Sequence, residues 1–440
     1  MNDRRSKDTG PNRRHFLGGM AGAGVASAFL PTIVPASALG RNGATAPSER
    51  IVLGAIGIGG RGEFVLKWML KENDVQFVAI CDARKKRREA VKRIADQHHG
   101  NNDCKMYPEM REFLATRRDI DAILLATGDR WHALGAIMAM RAGKDVYSEK
   151  PSSMTIAEGR AVVDTARNTG RVYQTGVQRL SEPNFVAAIE LARSGKLGPI
   201  HTVSAHIAPW DDAVMRHDWL PAQPEPPVEE LDYEAWLGPC PVRPYNVDYI
   251  NGKWRGHYDF HTSCIGEWGA HTFAQGQAGI NALDTSPVSY QYVNNDSGDG
   301  MVTTFANGIK MVLMREGWKG SCGMKFEGPG GWVAVADGYK TPEFSNPALL
   351  AEANSLVDQY RERTGRSLNH VRNFLDCVKS RQATVANAEV MHHSMSTVHA
   401  ANICMWLKSD LKYDPMKEEF PGNPAANRFR SRPQRAPYVI

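Results

Sequence analysis

The chain lacks the cysteine patterns that mark disulfide frameworks and thiolate metal sites. Its seven cysteines are an odd number, stand far apart and include no C-x-x-C pair. A disulfide framework or a thiolate zinc site needs paired or closely spaced cysteines. Most of the seven are therefore predicted to be small buried hydrophobic residues.

A strong charge of one sign is absent from the body of the protein. The formal net charge of the 440 residues is +5, and the first 38 residues hold five Lys/Arg and two Asp. The remainder therefore carries a charge of only about +2 and has no basic stripe, which argues against nucleic-acid binding. The length and the 42% hydrophobic content predict two or three domains with sizeable cores.

A long apolar run occurs only near the N-terminus. The segment Asn12–Leu17 contains a twin-arginine pair, an apolar run over Phe16–Val34 follows it, and Ala36–Ala38 is a small-residue cleavage site. This pattern predicts a twin-arginine signal peptide over 1–38 and a linker over 39–48, hence an exported or periplasmic protein without a membrane span after processing. The alternative is an uncleaved membrane anchor, which the four glycines of the run disfavour.

From residue 49 onward, strand and helix patterns alternate with short loops. Repeated β–α alternation predicts an α/β dinucleotide-binding domain over 49–176, with a doubly wound parallel sheet of the Rossmann kind. The predicted strands are Ile51–Ile58, Val75–Cys81, Asp121–Thr127, Asp145–Ser148 and Arg171–Gly176, and the predicted helices are Glu63–Lys71, Ala83–Gln97, His132–Ala142 and Thr155–Asn168.

The pattern changes after Val177. Short strand candidates separated by Gly and Asn turns alternate with helices, and a Pro- and Trp-rich stretch covers Trp210–Trp254. Residues 177–440 are therefore predicted to form an α+β substrate-binding and oligomerisation domain with a largely antiparallel open sheet and a C-terminal tail.

A glycine-rich turn lies between the first predicted strand and the first predicted helix. Gly57, Gly59, Gly60, Arg61 and Gly62 belong to a G-x-G-x-x-G motif, in which glycines let backbone amides approach a pyrophosphate at a helix N-terminus. Asp82 ends the second strand 20 residues later, where a carboxylate accepts from the adenosine ribose. Asp82 favours NAD, whereas Arg84 beyond it could pair with a 2′-phosphate, so NADP remains open.

Two further stretches hold candidate catalytic residues. Lys150 ends a predicted parallel strand, where it could donate to a substrate oxygen or simply be a surface lysine. Glu267 and His271 are four residues apart, so a helix places both on one face, with His271 as a proton acceptor and Glu267 orienting it. A structural histidine is the alternative. A metal site with His257 and His261 is another, but no complete ligand set is visible and no metal is predicted.

The combination of Gly57–Gly62, Glu149-Lys150-Pro151 and the pair Glu267/His271 resembles the Gfo/Idh/MocA oxidoreductase family (glucose-fructose oxidoreductase, inositol dehydrogenase, rhizopine catabolism). The resemblance covers nearly all of the chain after the leader. It also rests on Ala126-Thr127, His132, Ala142–Val146, and on Trp236–Pro239, His370–Leu375 and Asn427–Pro433, which resemble a twin-arginine-exported branch.

The resemblance implies residue roles as well as a fold. It implies that Lys150 bridges nicotinamide and substrate, that His271 is an acid/base, and that Thr127, His132 and Glu149 join the cofactor contacts. The family's usual acid is Asp, so Glu267 departs from it by one methylene. The resemblance further implies homo-oligomers packed through the second sheet.

A carbohydrate pocket needs polar donors and an aromatic face. Gln178 and Arg179 follow the last strand of the first domain, and Tyr258 and His261 precede Glu267, so all four are predicted to contact substrate. Trp210, Trp219 or Trp254 could supply the aromatic face.

Three functions remain open from the sequence. The first is an NAD(P)-dependent oxidoreductase that takes hydride from a sugar, polyol or sugar derivative. The second is a redox-neutral glycosidase, lyase or epimerase that keeps NAD tightly bound and works through a transient keto-sugar, which suits a compartment poor in free NAD. The third is a non-catalytic sugar-binding protein.

Overall fold

The computed structural model of the chain describes residues 45–207, 215–295, 298–314 and 321–440. The predicted leader over 1–38, residues 39–44 of the predicted linker and Trp210 lie outside these ranges. A 3₁₀ turn covers Pro47–Glu49, and residues Arg50–Ile440 form a separate unit. No helix in the part that the structure describes has both the length and the apolarity needed to cross a bilayer.

The first sheet is parallel throughout and confirms the predicted doubly wound α/β fold. Within the unbroken stretch 50–207, its six strands lie in the order β3-β2-β1-β4-β5-β6. The strands are β1 Ile51–Ile56, β2 Val75–Cys81, β3 Lys105–Tyr107, β4 Ala122–Leu125, β5 Asp145–Ser148 and β6 Tyr173–Thr175. The helices are α1 Gly60–Met69, α2 Lys85–His99, α3 Met110–Thr116, α4 Asp129–Arg141 and α5 Ile156–Thr169.

Strand β3 and helix α3 were missing from the sequence prediction. β3 lies at the sheet edge, and its three residues are exposed or half-buried. An edge strand buries little apolar surface, so it carries no continuous hydrophobic run that a sequence pattern could detect. By contrast, all four residues of β4 are buried, as expected of a central parallel strand.

The second sheet is mostly antiparallel, which confirms the predicted α+β class. Within the described residues its eight strands lie in the order β13-β12-β11-β7-β10-β9-β8-β14, and only the β7–β10 pair is parallel. The strands are β7 Thr202–His206, β8 Ser289–Asn295, β9 Gly298–Thr304, β10 Lys310–Met314, β11 Gly323–Gly328, β12 Gly331–Val335, β13 Glu343–Phe344 and β14 Leu411–Lys412. The helices are α6 Pro183–Arg193, α7 Tyr233–Leu237, α8 Ser263–Gly279, α9 Leu349–Thr364, α10 His370–Ser380, α11 Ala388–Leu407 and α12 Pro424–Asn427.

Helix α8 lies unusually close to one face of the second sheet. A Cβ at Gly276 would stand 2.2 Å from Met324 of β11, and a Cβ at Gly279 would stand 2.2 Å from Phe326. These two glycines therefore permit the close approach, and 15 of the 17 residues of α8 are buried. On the other face of the sheet, Val302 and Val312 remain half-buried.

Helix α10 returns to the nucleotide domain although it follows the second sheet in the chain. Its residues Val371, Phe374 and Leu375 are fully buried in the core that also contains Leu53 of β1. Arg372 fixes the helix through an ion pair with Asp74, 2.8 Å between Nη1 and Oδ1. The C-terminal part of the chain thus contributes to the packing of both sheets.

Candidate active site

The glycine-rich turn leaves its backbone open towards a cavity of about 380 Å³ at the carboxyl edge of the first sheet. A Cβ at Gly59 or Gly60 would meet no described atom within 4 Å, so the backbone of both residues borders open space. Gly57 has φ +69°, and a Cβ there would lie 2.3 Å from Thr127 Cγ2. At Gly62 a Cβ would lie 2.7 Å from Ala126, so this glycine brings α1 close to β4. The turn therefore fits a pyrophosphate at the N-terminus of α1.

Eight of the predicted cofactor residues line this cavity. They are Gly57, Gly59, Gly60, Arg61, Gly62, Asp82, Arg84 and Thr127. Asp82 Oδ2 accepts from Ile58 N at 3.2 Å and Oδ1 accepts from Arg84 N at 2.9 Å. Burial raises the pKa of the Asp82 carboxyl, and the charge of Arg84 opposes that shift. These residues fit a dinucleotide whose ribose lies beside a carboxylate.

Arg84 has other partners in the structure. Its Nη1 donates to the Ile250 carbonyl at 3.2 Å, and its Nε lies 3.9 Å from Asp82 Oδ1. A guanidinium engaged in this way is less available for a 2′-phosphate, and the adjacent carboxylate repels one. The arrangement favours NAD over NADP.

Removal of the Asp82 charge is expected to relax this preference. In an Asp82→Asn variant, the ratio of the Kd values for NADP and NAD should fall by at least about tenfold, since one carboxylate–phosphate repulsion is lost. Titration of each nucleotide by intrinsic fluorescence measures the ratio. Asp119→Asn, which changes an exposed carboxylate outside the cavity, is the matched control. An unchanged ratio in Asp82→Asn would show that another group discriminates between the nucleotides.

Lys150 follows β5 at the same edge of the first sheet. It lies between this sheet and Glu267 of helix α8. Its side chain is only 12% exposed, and its Nζ lies 3.6 Å from Glu267 Oε1 and 5.2 Å from the centre of the Trp268 ring. The preceding Glu149 is buried and lies 3.5 Å from Arg61 Nε. A Cβ at Gly176 would stand 2.5 Å from Glu149 Oε1, so that glycine makes room for the carboxylate.

His132 supports the same turn from α4. Its Nδ1 lies 2.8 Å from the Pro151 carbonyl, which can only accept, so Nδ1 carries the proton. Its Nε2 has no partner among the described residues. Burial lowers the pKa of the His132 imidazole. His132, Glu149 and Lys150 do not line the 380 Å³ cavity, so their predicted cofactor contacts remain predictions.

Helix α8 is anchored at its N-terminus by two neighbouring helices. Asp129 of α4 accepts from Thr262 N at 3.1 Å and from Thr262 Oγ1 at 2.8 Å. Asn402 of α11 donates to the Thr262 carbonyl at 2.8 Å. These contacts hold Glu267 and His271 at fixed positions relative to the first sheet.

Glu267 does not orient His271, contrary to the sequence prediction. Its Oε2 lies 3.2 Å from His261 Nε2, and both carboxylate oxygens lie 3.3 Å from Arg255 Nε. Burial raises the pKa of Glu267, but the hydrogen bond from His261 and the charges of Lys150 and Arg255 outweigh it and hold that pKa well below the ordinary range. At neutral pH Glu267 is therefore an anion, and it lies 3.6 Å from the Lys150 Nζ.

His271 is buried, and its Nδ1 has no hydrogen-bond partner among the described residues. Burial, followed by the charges of Arg179, Lys150 and Arg61, lowers the pKa of His271 well below its ordinary value. The imidazole is therefore neutral near pH 7 and able to accept a proton.

All four predicted substrate residues make contacts within the protein. Gln178 is 1% exposed and donates to Tyr147 Oη at 3.0 Å and to Glu149 Oε1 at 3.3 Å, so it positions Glu149. His261 is fully buried. Its Nδ1 accepts from Gly256 N at 3.1 Å, which places its proton on the nitrogen that faces Glu267. Because these polar atoms already have partners, the substrate contacts of both residues stay predictions.

The ring of Tyr258 packs away from the nucleotide cavity. The Arg432 guanidinium lies 3.9 Å from its centre and Trp406 lies 5.6 Å away. The predicted substrate contact of Tyr258 stays a prediction. Arg179 pairs with Asp337 at 2.7 Å, and its charge acts on His271, so its substrate contact stays a prediction.

The predicted aromatic face is only partly described. Trp254 lines the nucleotide cavity, and Trp219 is 57% exposed beside Arg243. Among the described residues, no group of three or more His, Cys, Asp and Glu side chains could hold a metal ion. All seven cysteines lie in the described ranges and are buried, as predicted for most of them.

Sequence reasoning missed several residues of the nucleotide cavity. Arg255, Arg130, Trp131, Trp236 and Tyr438 line it, although they come from α4, from the Pro- and Trp-rich stretch and from the C-terminus. Arg255 also contacts Glu267, which lies beside Lys150. Arg255 therefore connects the nucleotide cavity to these two residues. Except for Trp236, which lies in a resembling segment, no motif or spacing pointed to them.

The chain matches two family models. Residues 51–177 match the model described as oxidoreductase family, NAD-binding Rossmann fold. Residues 191–440 match the model described as oxidoreductase family, C-terminal alpha/beta domain. The two models are the N-terminal and C-terminal domains of the Gfo/Idh/MocA family.

Curated relatives carry the name glycosyl hydrolase family 109 protein. The one from Stenotrophomonas maltophilia is 25% identical, with 79% of each chain covered. The one from Shewanella pealeana is 29% identical, with 44% of this chain covered, and the chain spans only 46% of that relative's length.

Solved structures share the fold at low identity. The WlbA dehydrogenase from Bordetella pertussis, in complex with NADH and UDP-GlcNAcA, has a TM-score of 0.59 at 15% identity, with 83% of this chain and 99% of that chain covered. The aldose-aldose oxidoreductase from Caulobacter crescentus, complexed with glycerol, has a TM-score of 0.56 at 15% identity, with 82% and 99% covered. At these identities the likeness shows the fold alone. Since the two family models span most of the chain, it belongs to the Gfo/Idh/MocA oxidoreductase family.

Proposed function

We propose that this enzyme acts on a sugar or glycoside by oxidising one hydroxyl-bearing carbon transiently, while NAD stays bound. The observation that carries the proposal is that Lys150 Nζ lies 3.6 Å from Glu267, one helical turn before the buried His271, whose pKa is lowered by burial and by the charges of Arg179 and Lys150. NAD bound there supplies a reversible hydride acceptor, so that the carbon can become a carbonyl and later return to an alcohol.

The chain's own residues supply proton transfer and charge stabilisation. His271 takes the proton of the reacting hydroxyl, because its lowered pKa keeps it neutral near pH 7. Lys150 donates to the same oxygen as negative charge develops on it. Glu267 keeps Lys150 in position, and its carboxylate oxygens are already engaged by His261 and Arg255.

The redox-neutral outcome is supported by chemistry and by the nucleotide cavity. A carbonyl acidifies the neighbouring C–H, and loss of that proton expels a leaving group; addition of water and reduction then complete a hydrolysis without net redox change. Residues from outside the Rossmann domain cover the nucleotide cavity, which favours retention of NAD. The name glycosyl hydrolase of the curated relatives agrees with this route.

A net dehydrogenase acting on a sugar or polyol is the second candidate. Solved proteins with this fold include a dehydrogenase that was crystallised with NADH. It needs the same Lys150 and His271, but it also needs NADH to leave after each turnover.

The purified protein distinguishes these candidates. We expect about one NAD(H) per chain by absorbance and mass analysis after gel filtration, as tight retention requires. With a panel of nitrophenyl glycosides, nitrophenol should be released without accumulation of NADH. In D₂O, the product should carry deuterium on the carbon next to the transiently oxidised one. A Lys150→Met variant is the inactive control.

Other outcomes would contradict the proposal. Accumulation of NADH together with an oxidised sugar would establish the net dehydrogenase. Sugar binding without redox change or cleavage on any substrate would indicate the non-catalytic alternative. Absence of nicotinamide binding under every condition would remove the basis for both enzymatic candidates.

We also infer export by the twin-arginine route and association of copies through the open face of the second sheet. A route that carries folded proteins suits an enzyme with a retained cofactor. Fractionation of cells that express an Arg13→Lys/Arg14→Lys variant tests export, which should be lost. Light scattering of a Val312→Lys variant tests association, which should decrease.

A further inference from the structure

The C-terminal segment of the chain reaches the nucleotide cavity. Tyr438 lines this cavity together with Asp82 and the glycine-rich turn, although more than 300 residues separate them in the sequence. Its side chain is buried, with 6% of the residue exposed. Its ring meets Trp131 of α4 edge-on, with 5.3 Å between ring centres.

Tyr438 lies in the same half of the nucleotide cavity as Asp82. The Arg111 guanidinium is 5.3 Å from the centre of its ring, and Arg111 pairs with Glu109, which follows β3. Since β3 neighbours β2, and Asp82 ends β2, Tyr438 lies on the side of the sheet where the adenosine ribose is expected. Lys150 follows β5, on the other half of the sheet.

Arg435 fastens the segment to the turn that follows α7. Its Nε donates to the Cys240 carbonyl at 2.9 Å, its Nη2 donates to the Gly238 carbonyl at 2.7 Å, and its backbone N donates to the Pro239 carbonyl at 3.2 Å. Its Nη1 also pairs with Glu234. The Tyr438 amide donates to the Arg435 carbonyl at 2.8 Å, so this attachment fixes the ring as well.

Helix α7 covers the same cavity and is held by α4. Arg130 donates from Nε and Nη2 to the Trp236 carbonyl at 2.9 and 2.7 Å, and its guanidinium lies 3.8 Å from the centre of the Trp236 ring. Trp131 Nε1 donates to the Ala235 carbonyl at 3.0 Å. Both Ala235 and Trp236 line the cavity.

One donor in this enclosure is left for a ligand. Arg130 lines the cavity and is 4% exposed, and its Nη1 has no hydrogen-bond partner among the described residues. Burial lowers the pKa of Arg130 to about 10, so the guanidinium still carries its charge at neutral pH. A buried, charged donor without a partner is costly unless a ligand accepts from it.

We propose that residues 434–438 form a clasp that closes the adenosine side of the nucleotide cavity, with Arg130 Nη1 donating to the bound dinucleotide. The clasp sets the rate at which NAD leaves. It deepens the proposed function, because a retained cofactor needs a slow exit, but it depends only on the nucleotide site and not on the sugar.

The test is the rate of NADH release from the full-length protein. NADH-loaded enzyme is mixed with an excess of a scavenging dehydrogenase and its substrate, and the loss of bound NADH fluorescence gives the dissociation rate. Tyr438→Ala should release NADH about tenfold faster, as expected for the loss of aromatic packing on the ligand side. Tyr438→Phe, which keeps the ring, should stay close to the wild type. Val439→Ala, an exposed neighbour outside the cavity lining, is the matched control.

A second variant distinguishes loosening of the clasp from a change in the lining of the nucleotide cavity. Arg435 does not line the cavity, so Arg435→Gln loosens the segment without altering the ligand contacts, and it should also accelerate release. The thermal midpoint of each variant without nucleotide verifies folding. Equal release rates for Tyr438→Ala, Arg435→Gln and wild type would overturn the clasp. Failure of the wild type to bind NADH would instead overturn the proposed function.

Discussion

Replacement of Lys150 by methionine is expected to lower kcat/KM by about two to three orders of magnitude, the loss typical of removing one donor to a developing oxyanion. Methionine keeps most of the volume and the apolar stem but cannot donate. NAD binding should survive, because Lys150 does not line the nucleotide cavity. Steady-state kinetics together with nucleotide titration separate the two effects.

A second lysine of the same strand provides the control. Lys144 immediately precedes β5, and its Nζ donates to the carbonyls of Arg117 and Ile120 at 2.9 and 2.8 Å. Lys144→Met should lower the thermal midpoint but leave kcat/KM per folded molecule unchanged. If Lys150→Met behaved in the same way, Lys150 would be a structural strand-end lysine and the catalytic assignment would fail.

Replacement of His271 by glutamine is expected to lower kcat by about two to four orders of magnitude, the range of a general base. The pH profile carries the more specific expectation. Burial, with the charges of Arg179, Lys150 and Arg61, lowers the pKa of His271 below the ordinary value of 6.5. The neutral form is the base, so activity should persist as the pH falls to 6.5 and decline only below it. In the His271→Gln variant, this decline of activity at low pH (the acid limb of the profile) should disappear.

A second buried histidine, on α11, tests whether the loss is merely structural. His399 is 4% exposed and lies 3.1 Å from Ser153 Oγ, and burial lowers its pKa to about 3. His399→Gln should reduce stability while it keeps the acid limb of the wild-type activity. An unchanged limb in His271→Gln would show that another group titrates.

Chain-local patterns were enough to predict the nucleotide half of the site. The apolar run before Gly57, the glycine-rich turn and Asp82 at the end of the next strand are determined by residues close in sequence. Parallel strands end at one edge of the sheet, so such patterns also predict where their side chains meet. Strand β3 was missed because an edge strand of three exposed or half-buried residues has no hydrophobic signal.

The partners of the polar groups depended on the tertiary structure. The spacing of Glu267 and His271 placed both on one helix, but His261, Arg255 and Lys150 compete for the carboxylate and take it. Gln178 follows the last strand of the first domain and turns inwards to Glu149. A spacing rule describes neighbours within one element and says nothing about side chains that arrive from other elements.

The sequence by itself thus determined the fold class and the dinucleotide turn, because periodicity and strand ends are local properties. Lys150 and His271 became catalytic candidates through the resemblance to the family. Only the tertiary structure decided that α10 packs into the first core, that Glu267 lies beside Lys150, and that Tyr438 lines the nucleotide cavity. These contacts join residues that lie far apart in the chain. Packing selects them from many alternatives, and no local pattern of residues encodes that choice.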